Sequence, residues 1–279
     1  MMHLLREMMH SLRTSPIFAV FVLLTLGWAG VIGLMVFLMI LQPGFMGMAH
    51  GTQPSHRVHD LTYGFLFGVA VLGMLAQLRR PTKNVASMLM ALIPWVGLLL
   101  AAVLSTDAGV IRSAERMSVA LLTVIVALLH PSGRDFFRSF SVSRVNWVML
   151  ALVIIAAVPL LVFASTNIGL QRSVPDDHAA LGHYGFMAAF SFTIIGVGLL
   201  ASLRPEGWRL TAWVAGLLPA LLGLTSLLFP NVSSSLGLVW ALAAIAWGVV
   251  FVAAAKLTKG TESPTLLGSG GVLSKSERG

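Results

Sequence analysis

Long apolar runs separated by short polar links dominate the sequence. Eight of these runs have the length, about 18–25 residues, that an α-helix needs to cross the hydrocarbon core of a bilayer. They cover residues 16–41, 61–78, 86–104, 113–130, 145–164, 181–203, 208–229 and 233–255. The pattern predicts an all-α integral membrane protein with about eight transmembrane helices.

Positive charge falls mainly on alternate links. With the N-terminus placed inside, the outer links keep four of the 18 Lys and Arg residues: Arg57, Arg112, Arg116 and Arg172. Because positively charged links stay on the cytoplasmic side, we expect a multi-pass protein of the cell membrane with both termini in the cytoplasm. Residues 1–15 have the spacing of an amphipathic segment on the inner membrane surface, and residues 258–279 are typical of a flexible cytoplasmic tail.

The two halves of the sequence resemble each other. Residues 73–79 and 198–204 agree at five of seven positions, and Pro94 and Pro219 have the same offset of 125. Four spans in each half give both copies the same orientation, so their axis would lie along the membrane normal. The predicted domains are two parallel four-helix repeats, residues 16–131 and 142–257.

The composition of the chain excludes several kinds of reactive site and narrows the range of partners. Hydrophobic residues make up 57% of the chain, charged residues 10%, and there is no cysteine. The absence of cysteine excludes disulfides, thiolate metal sites and a cysteine nucleophile. The net charge of +8 lies in links that act as topology signals, so we expect no nucleic-acid partner. Membrane lipids are the expected partners, with other membrane subunits a further candidate because Gly64 with Gly68, and Gly216 with Ala220, favour close helix contacts.

Histidines and carboxylates gather at two outer links, before the second run and around the start of the sixth. If these two runs meet at the repeat axis, the side chains converge at the extracytoplasmic surface. Imidazole and carboxylate groups bind zinc, copper or a haem iron. Histidine is also stable at a bilayer interface without any ligand, because its ring body lies in the acyl boundary and its polar edge in water. The candidate metal ligands are His59, His183, His56, His178, Asp60 and Asp176.

A four-plus-four repeat with histidines at the outer ends of even-numbered spans resembles the haem A synthase family in layout. That family pairs histidines on the second and fourth helices of each half, which implies a haem between them. Here the outer end of the fourth run offers Ser113 and Glu115, and the eighth run has no histidine. The resemblance therefore leaves one candidate haem pair, His59 with His183, which would join the two halves.

Three functions are consistent with the sequence. The first is a non-catalytic accessory subunit or lipid-interacting scaffold, because the spans lack buried charge and the loops are too short for an enzyme domain. The second is a metal or haem protein with its site on the outer face, serving redox chemistry or zinc-dependent lipid chemistry. The third is a transporter, favoured by the parallel repeat and the paired Pro94 and Pro219 but weakened by a midplane without ionisable residues. The sequence leaves open whether the protein is an enzyme.

Overall fold

The computed structural model of the protein describes residues 15–41, 54–133, 138 and 140–258. Of the surface segment predicted at 1–15, only residue 15 falls within this part of the chain. The tail predicted at 258–279 lies outside it beyond residue 258.

Helices make up the regular structure of the described residues, which contain no strand. This confirms the all-α fold class for that part of the chain. The α-helices are α1 (Pro16–Leu41), α2 (Arg57–Gln77), α3 (Val85–Ser105), α4 (Ala114–Leu128), α5 (Trp147–Ser173), α6 (Asp177–Ala180), α7 (His183–Leu203), α8 (Trp208–Leu228) and α9 (Gly237–Leu257).

Seven of these helices are long and apolar enough to cross a membrane. The fourth predicted span differs, because α4 has only 15 residues. At 1.5 Å per residue it is about 22 Å long, less than the roughly 30 Å of a hydrocarbon core. Its ends have local causes. The hydroxyl of Ser113 caps the first turn by accepting from the Arg116 N–H, and Pro131 follows the last turn, where a helix cannot easily continue.

Helix α4 nevertheless runs between the two ends of the bundle. Near its start, the Arg116 guanidinium lies 5.0 Å from the ring of Phe186 in the first turn of α7. Beyond its end, His130 Nε2 lies 3.2 Å from Gln77 Oε1 at the end of α2. We call the end where α2, α4 and α7 begin the histidine rim, and the end where they finish the arginine rim.

Helix α7 forms the centre of the bundle and packs against α3, α5 and α8. Helices α5 and α9 lie on the outside and expose many large apolar side chains, as expected for surfaces that face lipid. Beyond α7 and α9, Arg204 donates to the Thr258 hydroxyl at 3.0 Å. Helices α7 and α9 therefore both end at the arginine rim.

Short irregular segments bring the chain into the histidine rim. A 3-10 turn, Pro54–His56, leads into α2. The four-residue helix α6 is capped by Asp176, whose carboxylate accepts from the Ala179 N–H at 2.8 Å. Gly182 then takes the left-handed conformation, with φ of 77°, which turns the chain from α6 into α7 at little steric cost. Asp176 therefore lies outside α7, and His183 is the first residue of that helix.

Candidate metal centre

Four histidines from two distant parts of the sequence meet at the histidine rim. His56 precedes α2 and His59 lies in its first turn, whereas His178 is in α6 and His183 begins α7. The ring centroids are 4.8 Å apart for His56 and His183, 4.9 Å for His59 and His178, and 5.2 Å for His59 and His183. We call these four residues the histidine cluster. The structure thus brings together the four histidines that the sequence singles out as candidate ligands.

Three members of the cluster have the spacing of a metal site. One ring nitrogen each of His56, His178 and His183 lies within 4.8 Å of the other two. Nitrogens that share a tetrahedral zinc at 2.0–2.1 Å are about 3.3 Å apart. The three rings therefore need to close by roughly an ångström or more around an ion of this size. His56 and His183 are buried and His178 is partly exposed, which leaves the cluster accessible from the loop side.

Both predicted carboxylates lie beside the cluster. Asp60 Oδ1 is 3.9 Å from His183 Nε2, and Asp176 Oδ2 is 3.5 Å from His178 Nδ1. The same Asp176 oxygen accepts a hydrogen bond from the Tyr184 hydroxyl at 2.9 Å. A carboxylate next to a ligating histidine fixes its ring orientation and raises its basicity.

Asp176 remains a carboxylate at neutral pH. Burial alone would raise its pKa, but hydrogen bonds from the Ala179 N–H and the Tyr184 hydroxyl, together with the nearby His178, lower the pKa below its ordinary value. A negative charge is therefore fixed at the edge of the cluster, where it favours a bound cation.

The neighbouring positive charges oppose a cation. The helices α2 and α7 both begin at the cluster, and the start of a helix carries partial positive charge. The Arg116 guanidinium also lies nearby, over the rings of Phe186 and Tyr63 at 5.0 and 5.9 Å. The carboxylates of Asp60 and Asp176 lie beside His183 and His178 and offset these positive charges.

Several buried polar atoms of the site have no hydrogen-bond partner among the described residues. They are His59 Nδ1, His183 Nδ1 and Asp60 Oδ2. Most buried polar groups are satisfied, and an unsatisfied group costs about 1–3 kcal/mol. Two nitrogens and one oxygen of this kind, all beside one cluster, are the donor atoms that a metal ion would use.

Sequence reasoning missed the polar residues behind His59. The His59 Nε2 atom lies 3.3 Å from Ser234 Oγ, in the loop before α9, and Ser234 donates to Asn167 Oδ1 at 2.7 Å. One turn later in α5, Gln171 donates to Asp107 Oδ2 at 2.7 Å and accepts from the Gly185 N–H at 3.0 Å. The available signal was the pair of amides four residues apart in a mostly apolar helix, a spacing that places them on one face.

A haem does not fit between His59 and His183. The angle between their ring planes is 13°, and their centroids are 5.2 Å apart. Axial haem ligands stand on opposite faces of a flat macrocycle and point a nitrogen at the iron between them. At 5.2 Å the two rings are too close to hold the macrocycle between them, so the geometry favours a single metal ion over the haem pair that the sequence left open.

The seven apolar helices are those of a polytopic all-α membrane protein, here with a largely buried histidine cluster at one end of the bundle. No protein family, curated protein or solved structure matches the chain. The function is therefore inferred from the residues of the site.

Proposed function

We propose that this chain is a multi-pass membrane protein whose histidine cluster binds one divalent transition-metal ion, zinc or copper. The observation that carries the proposal is the approach of three ring nitrogens, from His56, His178 and His183, to within 4.8 Å of one another. Neutral imidazole is a good ligand for both metals. The buried and unsatisfied Nδ1 of His183 supports this over a purely structural cluster, in which both ring nitrogens would be paired.

The distribution of charge supports an extracytoplasmic site. Among the described residues, the arginine rim has eight basic side chains and one carboxylate, whereas the histidine rim has four basic side chains and five carboxylates. Basic segments stay in the cytoplasm, so we propose that the histidine rim faces outward in the cell membrane and that both termini lie inside. The basic residues of the arginine rim are Arg79, Arg80, Lys83, Arg138, Arg144, Arg204, Arg209 and Lys256.

The helix order supports the tandem repeat, which we also propose. Helix α2 packs on α3 in the first half, as α7 packs on α8 in the second. Helices α2 and α7 both begin at the histidine rim and contact each other there through His59 and His183. A metal held between these helices would join the two halves, residues 16–131 and 142–257.

Metal binding is compatible with a non-catalytic accessory or lipid-interacting role. The exposed apolar faces of α5 and α9 support contacts with lipid or with another membrane subunit. A zinc ion with three protein ligands and an open position could instead activate water against a lipid ester or amide. The number of histidine ligands separates these two roles.

Thermal unfolding of the metal-stripped protein in detergent tests the proposal. Binding to the folded state alone stabilises a protein by about 2.7 kcal/mol when free metal is at 100 times the dissociation constant. Zn²⁺ or Cu²⁺ is therefore expected to raise the Tm of the wild-type protein, and His178→Gln should remove most of the increase. His130→Gln, at the other rim, should keep it. A wild-type Tm that responds to neither metal would count against the site.

A further inference from the structure

Resting on the proposed metal site, we infer that His59 is a fourth ligand through its Nδ1 atom and that Asn167 and Ser234 hold it in the required tautomer. A neutral histidine has one protonated and one unprotonated ring nitrogen, and only the unprotonated nitrogen can bind a metal. Which nitrogen of His59 is unprotonated follows from its hydrogen-bond partners.

The orientation of the Asn167 side-chain amide follows from its hydrogen bond to the backbone. Its Nδ2 donates to the backbone carbonyl of Phe163 at 2.9 Å. A carbonyl oxygen can only accept, so the atom at this position is the amide nitrogen, and Oδ1 is the atom that faces Ser234. Asn167 is buried with 1% of its surface exposed.

The orientation of Asn167 determines which way the Ser234 hydroxyl donates. It has one hydrogen, and that hydrogen goes to Asn167 Oδ1 at 2.7 Å because this oxygen cannot donate. The Ser234 oxygen can then only accept from His59 Nε2, which lies 3.3 Å away. His59 Nε2 is therefore protonated, and Nδ1 keeps a free lone pair.

The position of His59 makes its free Nδ1 lone pair available to a metal ion in the histidine cluster. The residue is completely buried, and its Nδ1 has no hydrogen-bond partner among the described residues. Its ring lies 4.9 Å from that of His178 and 5.2 Å from that of His183. A serine and an asparagine that orient a ligating histidine are the outer partners that metal sites need.

Four imidazole ligands close a tetrahedral site. Catalytic zinc keeps an open position for water, whereas structural zinc has four protein ligands. A site completed by His59 therefore holds its metal without activating water, which favours the non-catalytic role over lipid hydrolysis.

Ser234→Gly is the matched test. Ser234 has φ of 64°, a conformation that glycine adopts without strain, so the variant removes the hydroxyl and keeps the loop. Ser235→Ala is the control, because that neighbouring hydroxyl donates to the Ser226 carbonyl at 3.2 Å instead of to a residue of the cluster. Loss of a partner behind a metal ligand lowers metal affinity about 10–100-fold. We expect that loss of zinc affinity for Ser234→Gly and a wild-type affinity for Ser235→Ala.

Nitrogen-15 NMR of histidine in the metal-free protein gives a readout that is independent of metal. The His59 signal, assigned by its absence in His59→Gln, is expected to show protonated Nε2 and bare Nδ1. In Asn167→Leu the serine hydrogen is released to donate to Nε2, so the Nδ1-protonated tautomer should become populated. A wild-type His59 protonated on Nδ1 overturns the inference. So does zinc affinity in Ser234→Gly equal to that of Ser235→Ala, while a wild-type protein that binds no metal defeats the proposed function itself.

Discussion

Buried polar side chains also form a network at the arginine rim, centred on His130. Its Nε2 donates to Gln77 Oε1 at 3.2 Å, and its Nδ1 accepts from the Ser132 N–H at 3.2 Å. Gln77 in turn donates to the Asn84 carbonyl at 3.1 Å. The network links the end of α2, the start of α3 and the turn after α4. Both ring nitrogens are used by the neutral imidazole, so protonation of Nδ1 would break the bond from Ser132.

The stability of the protein is expected to depend on pH through His130. Burial lowers the pKa of His130 to about 4, while the unfolded chain binds a proton near pH 6.5. The unfolded state therefore binds more protons between these values, so this contribution is complete above about pH 6.5 and is lost as the pH falls toward 4. Thermal unfolding from pH 4 to 8 should show a steeper loss for wild type than for His130→Gln. Parallel pH profiles for the two proteins would contradict this.

At the residue scale, the sequence identified the histidines but not what holds them. Histidines and aspartates in outer links are visible as a composition signal, which is why His59 and Asp176 could be predicted as candidates. The role of Ser234 could not be predicted from the sequence because it depends on a contact with Asn167, 67 residues away. The role of Asp176 as a helix cap depends on a four-residue helix that is too short to leave a periodic pattern.

At the scale of elements, one of the two small-residue motifs packs against another helix. A Cβ added at Gly216 would lie 2.6 Å from the Gly248 carbonyl oxygen of α9, so α8 and α9 approach backbone to backbone. A Cβ at Gly64 or Gly68 would meet nothing within 4 Å in the described chain. The motif spacing is the same in both helices, and only the tertiary fold distinguishes them.

Gly216→Ala is therefore expected to destabilise the protein by about 1–3 kcal/mol, because the added methyl group separates α8 from α9. Gly64→Ala is the matched control, since it adds the same group in a helix without steric conflict and should change stability by less than about 1 kcal/mol. Unfolding of both variants in mixed detergent measures the difference. Equal stabilities would mean that α8 and α9 do not pack as closely as described.

The seven long spans could be predicted because length and apolar composition are local properties. The fourth span was predicted too long because the apolar run continues through Leu129, beyond the last residue of α4. Hydrophobicity alone does not show that Ser113 caps the helix or that Pro131 prevents its continuation. Helix neighbours could not be predicted in the same way. An apolar composition indicates that a helix lies in lipid, but not that α7 is central and α5 peripheral.

At the scale of the whole molecule, the proposed orientation can be measured with single cysteines, because the chain contains none of its own. Arg112→Cys lies at the histidine rim and Lys83→Cys at the arginine rim, and neither position is buried. A membrane-impermeant maleimide added to intact cells should label Arg112→Cys, and should label Lys83→Cys only after permeabilisation. The reverse pattern would place the histidine cluster in the cytoplasm.

The most direct measurement of the central claim is the metal content of the protein purified without chelator. We expect about one zinc or copper ion per chain, as for a single-ion site. The metal content should fall close to zero in the double variant His56→Gln/His183→Gln, which removes two of the three histidines whose ring nitrogens lie within 4.8 Å of one another. It should stay at the wild-type value in His130→Gln. Wild-type protein without metal, or a double variant that retains it, would contradict the proposal that the histidine cluster is a metal site.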